Sequence, residues 1–159
     1  MVYPMTENDH SSIYTFTTQM PIRFSHCDPA GIVYFPQYLV LTNWLVEDWF
    51  TEGLGINFAE FINQRKLGLP IVKLECEFVK PSSQGEQLTM SLALQRLGRR
   101  SITIDIVGSV NAEVRMRSKQ VLVSTSLETG CSTDFPKDVR TALEALQIIQ
   151  NEDVLEVVK

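Results

Sequence analysis

PQYLVLTNWLVEDWFTEGLG, Pro36 to Gly55, is the stretch around which the rest of the chain must be arranged. Pro36 suits a first helical turn, and Gly53 and Gly55 suit a helix end. Between them Leu39, Val40, Leu41, Trp44, Leu45, Val46, Trp49 and Phe50 spread over much of the circumference instead of forming one stripe, which predicts a buried central helix. Upstream, Phe16, Met20, Ile22 and Phe24 share one parity and Thr17, Gln19 and Arg23 the other, a half-buried strand over Thr15 to Phe24. Downstream, Asn57-Phe-Ala-Glu60 has the form of a capping box opening a short second helix, closed by Gly68 before Pro70. From Ile71 the period becomes two: Val72, Leu74, Cys76 and Phe78 oppose Lys73, Glu75 and Glu77. Leu88, Met90, Leu92 and Leu94, then Ile102, Ile104 and Ile106, repeat the pattern on either side of a hairpin at Gly98. In Glu113 to Leu127 the apolar parity moves from Val114 and Met116 to Val121 and Val123, which predicts a bulge or bend. Pro136 to Leu146 reads as a terminal helix. A strand, a long helix and a run of four further strands make an α+β protein, an antiparallel sheet wrapped around the helix.

The 159 residues suit one domain, read as 14–147 between a loose arm at 1–13 and a C-terminal tail at 148–159. With 44 % hydrophobic and 21 % charged residues, the composition is globular and excludes disordered, collagen-like and disulfide-dense classes. No apolar run approaches the roughly 20 residues that cross a bilayer, and Met1 to Ser12 lacks the pattern of a secretory signal, so no membrane partner and a cytoplasmic address are expected. Fourteen basic against nineteen acidic residues, a net charge of −5, leave no broad footprint for nucleic acid. Cys27, Cys76 and Cys131 have no CxxC or zinc-like spacing, so reduced thiols and no structural metal are expected. A strongly apolar helix beside a single sheet leaves surface to cover, which predicts a homo-oligomer.

Chemistry concentrates in the loop Ser25 to Tyr38. Asp28 precedes a Pro-Ala-Gly turn, and the helix beginning near Pro36 offers free backbone N–H groups and a partial positive charge. Those donors suit an oxyanion while a neighbouring carboxylate attacks or activates water; the plainer alternative is that Asp28 caps a turn that Gly31 permits. Arg99 and Arg100, at the tip of a hairpin, suit phosphates. Lys73, Lys80, Arg115, Arg117 and Lys119 read as surface charges. Glu47 and Asp48 offer a second carboxylate option on the central helix. Cys27 beside His26 fails as a nucleophile–base pair, because adjacent residues point apart and no third group orients them.

His26 to Tyr38, HCDPAGIVYFPQY, resembles the pattern DCDPAGIV-x-YPNY of the 4-hydroxybenzoyl-CoA thioesterase branch of the hotdog-fold acyl-CoA thioesterases. GLPIV at Gly68 to Val72 and the basic turn Gly98-Arg-Arg-Ser101 are similar to features of the same family, and together they span most of Thr15 to Ser126. The resemblance implies a hotdog fold and hydrolysis of a small, aromatic, 4-hydroxybenzoyl-like acyl-CoA thioester to free acid and CoA. Asp28 is then the nucleophile or general base, the backbone N–H of Phe35 the oxyanion donor, and Tyr34, Tyr38, Asn43 and Pro70 the lining of the acyl cleft. Arg99, Arg100 and Ser101 would meet the nucleotide end of CoA. The family needs no cofactor, CoA being part of the substrate, and assembles as a dimer or a dimer of dimers (a homotetramer) with its site at a subunit interface. Two positions depart from the pattern: Asn43 stands where a carboxylate faces a phenol hydroxyl, and His26 where Asp is common. The alternative within the same fold is a non-catalytic module that binds or senses acyl-CoA. A hotdog dehydratase would want a catalytic His, and the chain offers only His10 and His26.

Overall fold

The structure, a computed structural model, describes residues 14–157, with side chains through 148; the arm expected over 1–13 lies outside the described residues. The elements are β1 (Phe16–Pro21), α1 (Phe35–Asp48), α2 (Phe58–Asn63), β2 (Leu67–Gly68), β3 (Ile71–Phe78), β4 (Gln87–Leu97), β5 (Ser101–Val110), β6 (Glu113–Val123), β7 (Thr125–Ser126) and α3 (Lys137–Val157). Five strands form one antiparallel sheet in the order β1-β4-β5-β6-β3, and β2 pairs β7 beside it.

Because strand side chains alternate, the inward parity of the sheet is a continuous apolar face: Met20, Leu88, Met90, Leu92, Ile102, Ile104, Ile106, Met116 and Leu122 are buried there. Tyr38, Leu41, Leu45, Val46, Trp49 and Phe50 of α1 and the turn after it pack onto this face as one core. The end of α1 widens into a π turn at Trp49–Gly53, where glycine is required sterically: a Cβ at Gly53 would lie 2.8 Å from Trp49 Cδ1. Asn57 caps α2 as expected, its side chain accepting from Glu60 N–H at 3.0 Å. Buried Phe135, Val139 and Leu143 tie α3 to the same core.

Three expectations need correction. The parity of the first strand points Phe24 inward, but pairing with β4 ends at Pro21, the chain turns into a 3₁₀ turn at Phe24–His26, and Phe24 is 80 % exposed. The central helix is buried on one side only: Val40 and Trp44 stay exposed on the other, where Trp44 has the edge of the His26 ring as a partial cover. The terminal helix does not stop near Leu146 but runs to Val157, so the segment read as a tail continues α3.

β3 is an edge strand. Its inward residues Leu74, Cys76 and Phe78 stand opposite Gln120, Ser118 and Met116, yet Leu74 and Phe78 remain exposed, as do Ile71 and Val72. An uncovered apolar edge is an invitation to pair with another strand.

Candidate active site

The loop between β1 and α1 is held at almost every residue. His26 is buried; its Nδ1 accepts from Arg23 N–H at 3.0 Å and its carbonyl accepts from Tyr34 N–H at 3.0 Å. Burial first, and the Arg23 charge second, hold its imidazole below the ordinary value. This is a structural histidine that closes the base of the loop. At the tip, Gly31 N–H bonds Asp28 C=O at 2.9 Å, and Gly31 takes φ +76°, the left-handed conformation in which a side chain would be strained. Asp28 Oδ1 accepts from Ala30 N–H at 2.8 Å, an Asx turn, so the capping role weighed from the sequence is real. That bond uses one carboxylate oxygen; among the described residues no donor meets the other.

The loop leans on the turn that precedes β4. Val33 N–H bonds Ser82 C=O at 2.9 Å, Gln84 N–H bonds Gly31 C=O at 3.1 Å, and the buried Tyr38 hydroxyl reaches Ser82 Oγ at 2.8 Å. That turn is itself fastened from the sheet. Glu86 accepts from Ser83 N–H at 2.7 Å and from both ends of the Arg115 guanidinium at 3.0 and 3.3 Å, while Arg115 also donates to Pro81 C=O. Arg115 was read as a surface charge and is buried instead. A bulge is the reason, though not where the apolar parity predicts one: Gly108 pairs Met116 and Ser109 pairs Val114, leaving Arg115 as the extra residue, re-aimed toward Glu86, while from Met116 to Leu122 the register is regular and Val121 and Val123 do not take the inward side.

Phe35 opens α1 with Pro36 behind it, and Gln37 N–H is already taken by Tyr34 C=O at 2.8 Å. No backbone acceptor among the described residues meets Phe35 N–H, which leaves it the open donor at the positive end of the helix. The rings of Tyr34 and Phe35, Phe35 and Phe78, and Tyr38 and Phe78 meet with centroids 5.5, 5.9 and 5.7 Å apart. Phe35, Tyr38 and Phe78 border an open groove of about 220 Å³, lined also by Ile32, Val33, Val79, Lys80 and Pro81. Cys27 gives no thiolate to this site: burial, and then the charge of Asp28, push its thiol up.

The remaining expected residues are elsewhere. Pro70 precedes β3 at the end opposite Phe78, and Arg99, Arg100 and Ser101 form the β4–β5 turn at that same far end. The eleven residues of β4 put the two ends of the sheet about 30 Å apart. Within one protomer, then, Phe35 and Tyr38 line one groove, Tyr34 meets the Phe35 ring and Asp28 lies on the loop that leads to them, whereas Pro70, Arg99, Arg100 and Ser101 are at the far end. Asn43 lies on α1, exposed, two turns beyond Phe35. At the far end Gly98 N–H closes the turn onto Ser101 C=O at 2.7 Å, and Arg140 of α3 donates to Gly98 and Arg99 carbonyls at 2.7 and 3.1 Å. Arg99 and Arg100 both pair with Asp134, at 2.9 and 2.7 Å, which holds that carboxyl below its usual range through Arg100 first and Arg99 second.

The family model of the thioesterase-like superfamily matches residues 22–143, most of the chain, including the loop, the helix after it and every strand of the sheet but β1. The chain belongs to the thioesterase-like superfamily. As a member of it, the protein is a thioester hydrolase with a hotdog fold, in which five antiparallel strands carry the helix that follows the Asp28 loop. A 1,4-dihydroxy-2-naphthoyl-CoA hydrolase of Nostoc punctiforme is 27 % identical over 132 residues, covering 82 % of this chain and 87 % of its own. A 4-hydroxybenzoyl-CoA thioesterase of a Pseudomonas species is 32 % identical over 88 residues, 55 % of this chain and 62 % of its own. Among solved structures, a 1,4-dihydroxy-2-naphthoyl-CoA thioesterase from Synechocystis superposes with a TM-score of 0.75 at 23 % identity, covering 83 % of this chain and 97 % of its own. Sequence reasoning on this superfamily member missed Arg115, Glu86 and Ser82, which do not touch the groove but hold the turn behind it. The sequence carried no signal for Arg115, because Val114 and Met116 share a parity and hide the extra residue between them.

Proposed function

We propose that the protein hydrolyses an aromatic acyl-CoA thioester, with Asp28 as nucleophile or general base and Phe35 N–H as the oxyanion donor. The observation that carries this reading is the pairing of a carboxylate with one unengaged oxygen and a helix-initial N–H without an acceptor, beside an aromatic groove. The thioester carbonyl oxygen accepts from Phe35 N–H as negative charge develops on it. The Asp28 carboxylate adds to the carbonyl carbon, or removes a proton from the water that does. Collapse breaks the C–S bond and releases CoA thiolate. On the nucleophilic route water then cleaves the acyl–aspartyl anhydride; on either route one water is consumed and the products are the free acid and CoA. Tyr34, Phe35, Tyr38 and Phe78 give the acyl group aromatic walls, and no resident cofactor takes part. A cytoplasmic setting agrees with three free cysteines.

The working unit is a dimer joined through the exposed edge of β3. Two-fold pairing of antiparallel edges turns one sheet end for end relative to the other. It brings the partner's Pro70 end alongside Phe78, and places the partner's β4–β5 turn at the same end as Asp28, roughly 15–20 Å from the seam at about 4.8 Å per strand. Arg99, Arg100 and Ser101 would then receive the phosphates of a CoA whose thioester lies in the first subunit's groove. Dimers paired again give the tetramer expected from the resemblance.

Thiol release from benzoyl, hydroxybenzoyl, naphthoyl and short aliphatic CoA esters, with wild type beside Asp28→Asn, tests the reading. Turnover of an aromatic ester that falls by about 10³-fold or more in the variant supports it. Full activity in Asp28→Asn removes that residue from the chemistry, and an inert wild type that still binds CoA esters transfers the protein to the sensing role.

A further inference from the structure

Behind the groove, between α1 and β6, lies a buried polar trio that the reaction outlined above does not use. Gln120 is 1 % exposed, Thr42 1 % and Ser118 4 %. Gln120 and Ser118 occupy the inward parity of β6, where apolar residues would complete the core, and Thr42 stands one turn beyond Tyr38 on α1. Polar side chains in such places need partners. Gln120 Nε2 donates to Thr42 Oγ1 at 3.1 Å and to Ser118 Oγ at 3.3 Å.

The chemistry fixes which way the amide points. Thr42 spends its hydroxyl proton on Leu39 C=O, 2.9 Å away, so its oxygen can only accept from Gln120, and the NH₂ end must face it. Both amide hydrogens are thereby engaged, and Oε1 is left on the other side. Among the described residues no donor meets Oε1, and it is not one of the unpartnered polar atoms sealed from solvent, which belong to Trp49, Arg115 and Ser124. The buried amide thus holds a bare acceptor that keeps a trace of solvent contact.

On the β3 side the cover is thin: Leu74 stands directly opposite Gln120 and Cys76 opposite Ser118, and Leu74 and Phe78 are exposed on this shelf, Phe78 also lining the aromatic groove. Phe35 N–H and Thr42 are seven residues apart on one helix, about 10 Å along its axis. That length suits one aryl ring with a hydrogen bond of about 2.8 Å at either end. The shelf is also uncharged: burial raises both the Cys76 thiol and the Tyr38 hydroxyl, so each stays protonated at neutral pH. A neutral hydroxyl fits these surroundings; Lys80, the cation that lines the adjoining groove, is already paired with Glu113 at 2.7 Å.

We infer that Gln120 is a specificity-determining residue whose Oε1 accepts a hydrogen bond from a ring hydroxyl of the acyl group, with Thr42 and Ser118 positioning the amide. The inference rests on the thioesterase reading and deepens it. Asn43, one residue beyond Thr42, is turned about 100° away around the helix and does not share this shelf.

The test is the ratio of kcat/KM for 4-hydroxybenzoyl-CoA to that for benzoyl-CoA. Wild type prefers the hydroxylated ester by at least about tenfold. Gln120→Met, similar in length and without an acceptor, brings the ratio near one while benzoyl-CoA turnover stays within a few-fold. Thr42→Val, which keeps its shape and loses the oxygen that orients the amide, lowers the ratio partway. A parallel calorimetric measurement with the non-hydrolysable 4-hydroxyphenacyl-CoA and phenacyl-CoA thioethers gives the same comparison without turnover. It keeps the two failures separate: loss of turnover with intact discrimination in binding overturns the thioesterase reading alone. No discrimination by wild type, an unchanged ratio in Gln120→Met, or a preference abolished by Asn43→Ala and untouched by Gln120→Met overturns the role given to Gln120. Should Gln120→Met fail to fold, an unchanged ratio in Thr42→Val has the same force.

Discussion

Phe78, the last residue of β3, meets Phe35, the first residue of α1, edge to face with ring centroids 5.9 Å apart, and this contact joins the sheet edge to the N-terminal end of the helix. An aromatic pair of this kind contributes about 1 kcal/mol beyond the area it buries. Phe78→Leu keeps an apolar shoulder and removes the ring. It should lower kcat/KM for aromatic CoA esters about tenfold and leave short aliphatic esters within a factor of two or so, read from steady-state thiol release.

Arg115 and Glu86 act on the site from behind. Arg115→Ala strands a largely buried carboxylate and unfastens the turn that supports the Asp28 loop. A stability loss of about 2 kcal/mol is expected, reduced from the fully buried case because Glu86 keeps 30 % side-chain exposure. Thermal unfolding should then shift down by about 4–8 °C, whereas Arg117→Ala, a change on an exposed position of the same strand, should move it by no more than about 1 °C.

His26 supplies a dependence on pH. Its imidazole is held below the ordinary 6.5 by burial, so the unfolded chain binds a proton at a pH where the folded chain does not. The stability this contributes is full above about 6.5 and is lost as pH falls from there toward the lower folded value. Protonation also removes the acceptor for Arg23 N–H. Unfolding temperatures of wild type and His26→Asn from pH 8 to pH 5 should converge on the acid side, the variant giving the flatter curve; parallel curves would remove His26 as the titrating group.

Asp134 neutralises the two arginines assigned to the nucleotide. Asp134→Asn leaves Arg99 and Arg100 without their intramolecular carboxylate and should lower KM for CoA esters at low ionic strength, with kcat unchanged. The gain should shrink as salt screens the freed charge. A KM that stays put at every salt concentration would separate this turn from the phosphates.

The helix from Pro36, the strand periods and the loop around Asp28 were legible because each rests on local spacing: Leu88, Met90, Leu92 and Leu94 share a face whatever surrounds them. Phe24 was misjudged because parity alone does not say where pairing ends, and that point is fixed by Gln87 on another strand. Arg115 looked like a surface charge because a bulge moves a side chain without changing its identity. Gln120 and Ser118 were hidden for the opposite reason, since polar residues on an inward parity read as interruptions until Thr42 is seen to arrive from the helix. The grouping of Pro70 with Tyr34 and Tyr38 came from the resemblance, and the length of the sheet separates them within a protomer.

The distance between the Asp28 loop and the arginine turn also makes the defects of the two ends complementary. A subunit lacking the carboxylate still lends its arginines, and one lacking the arginines still lends its carboxylate. Asp28→Asn protein and the Arg99→Ala, Arg100→Ala double variant, each nearly silent alone when the CoA ester is held far below KM, should recover activity under that condition when unfolded and refolded together. Every mixed pair then holds one site with both halves intact and one with neither, so an equal mixture that pairs at random, half of its dimers mixed, returns about a quarter of the wild-type rate.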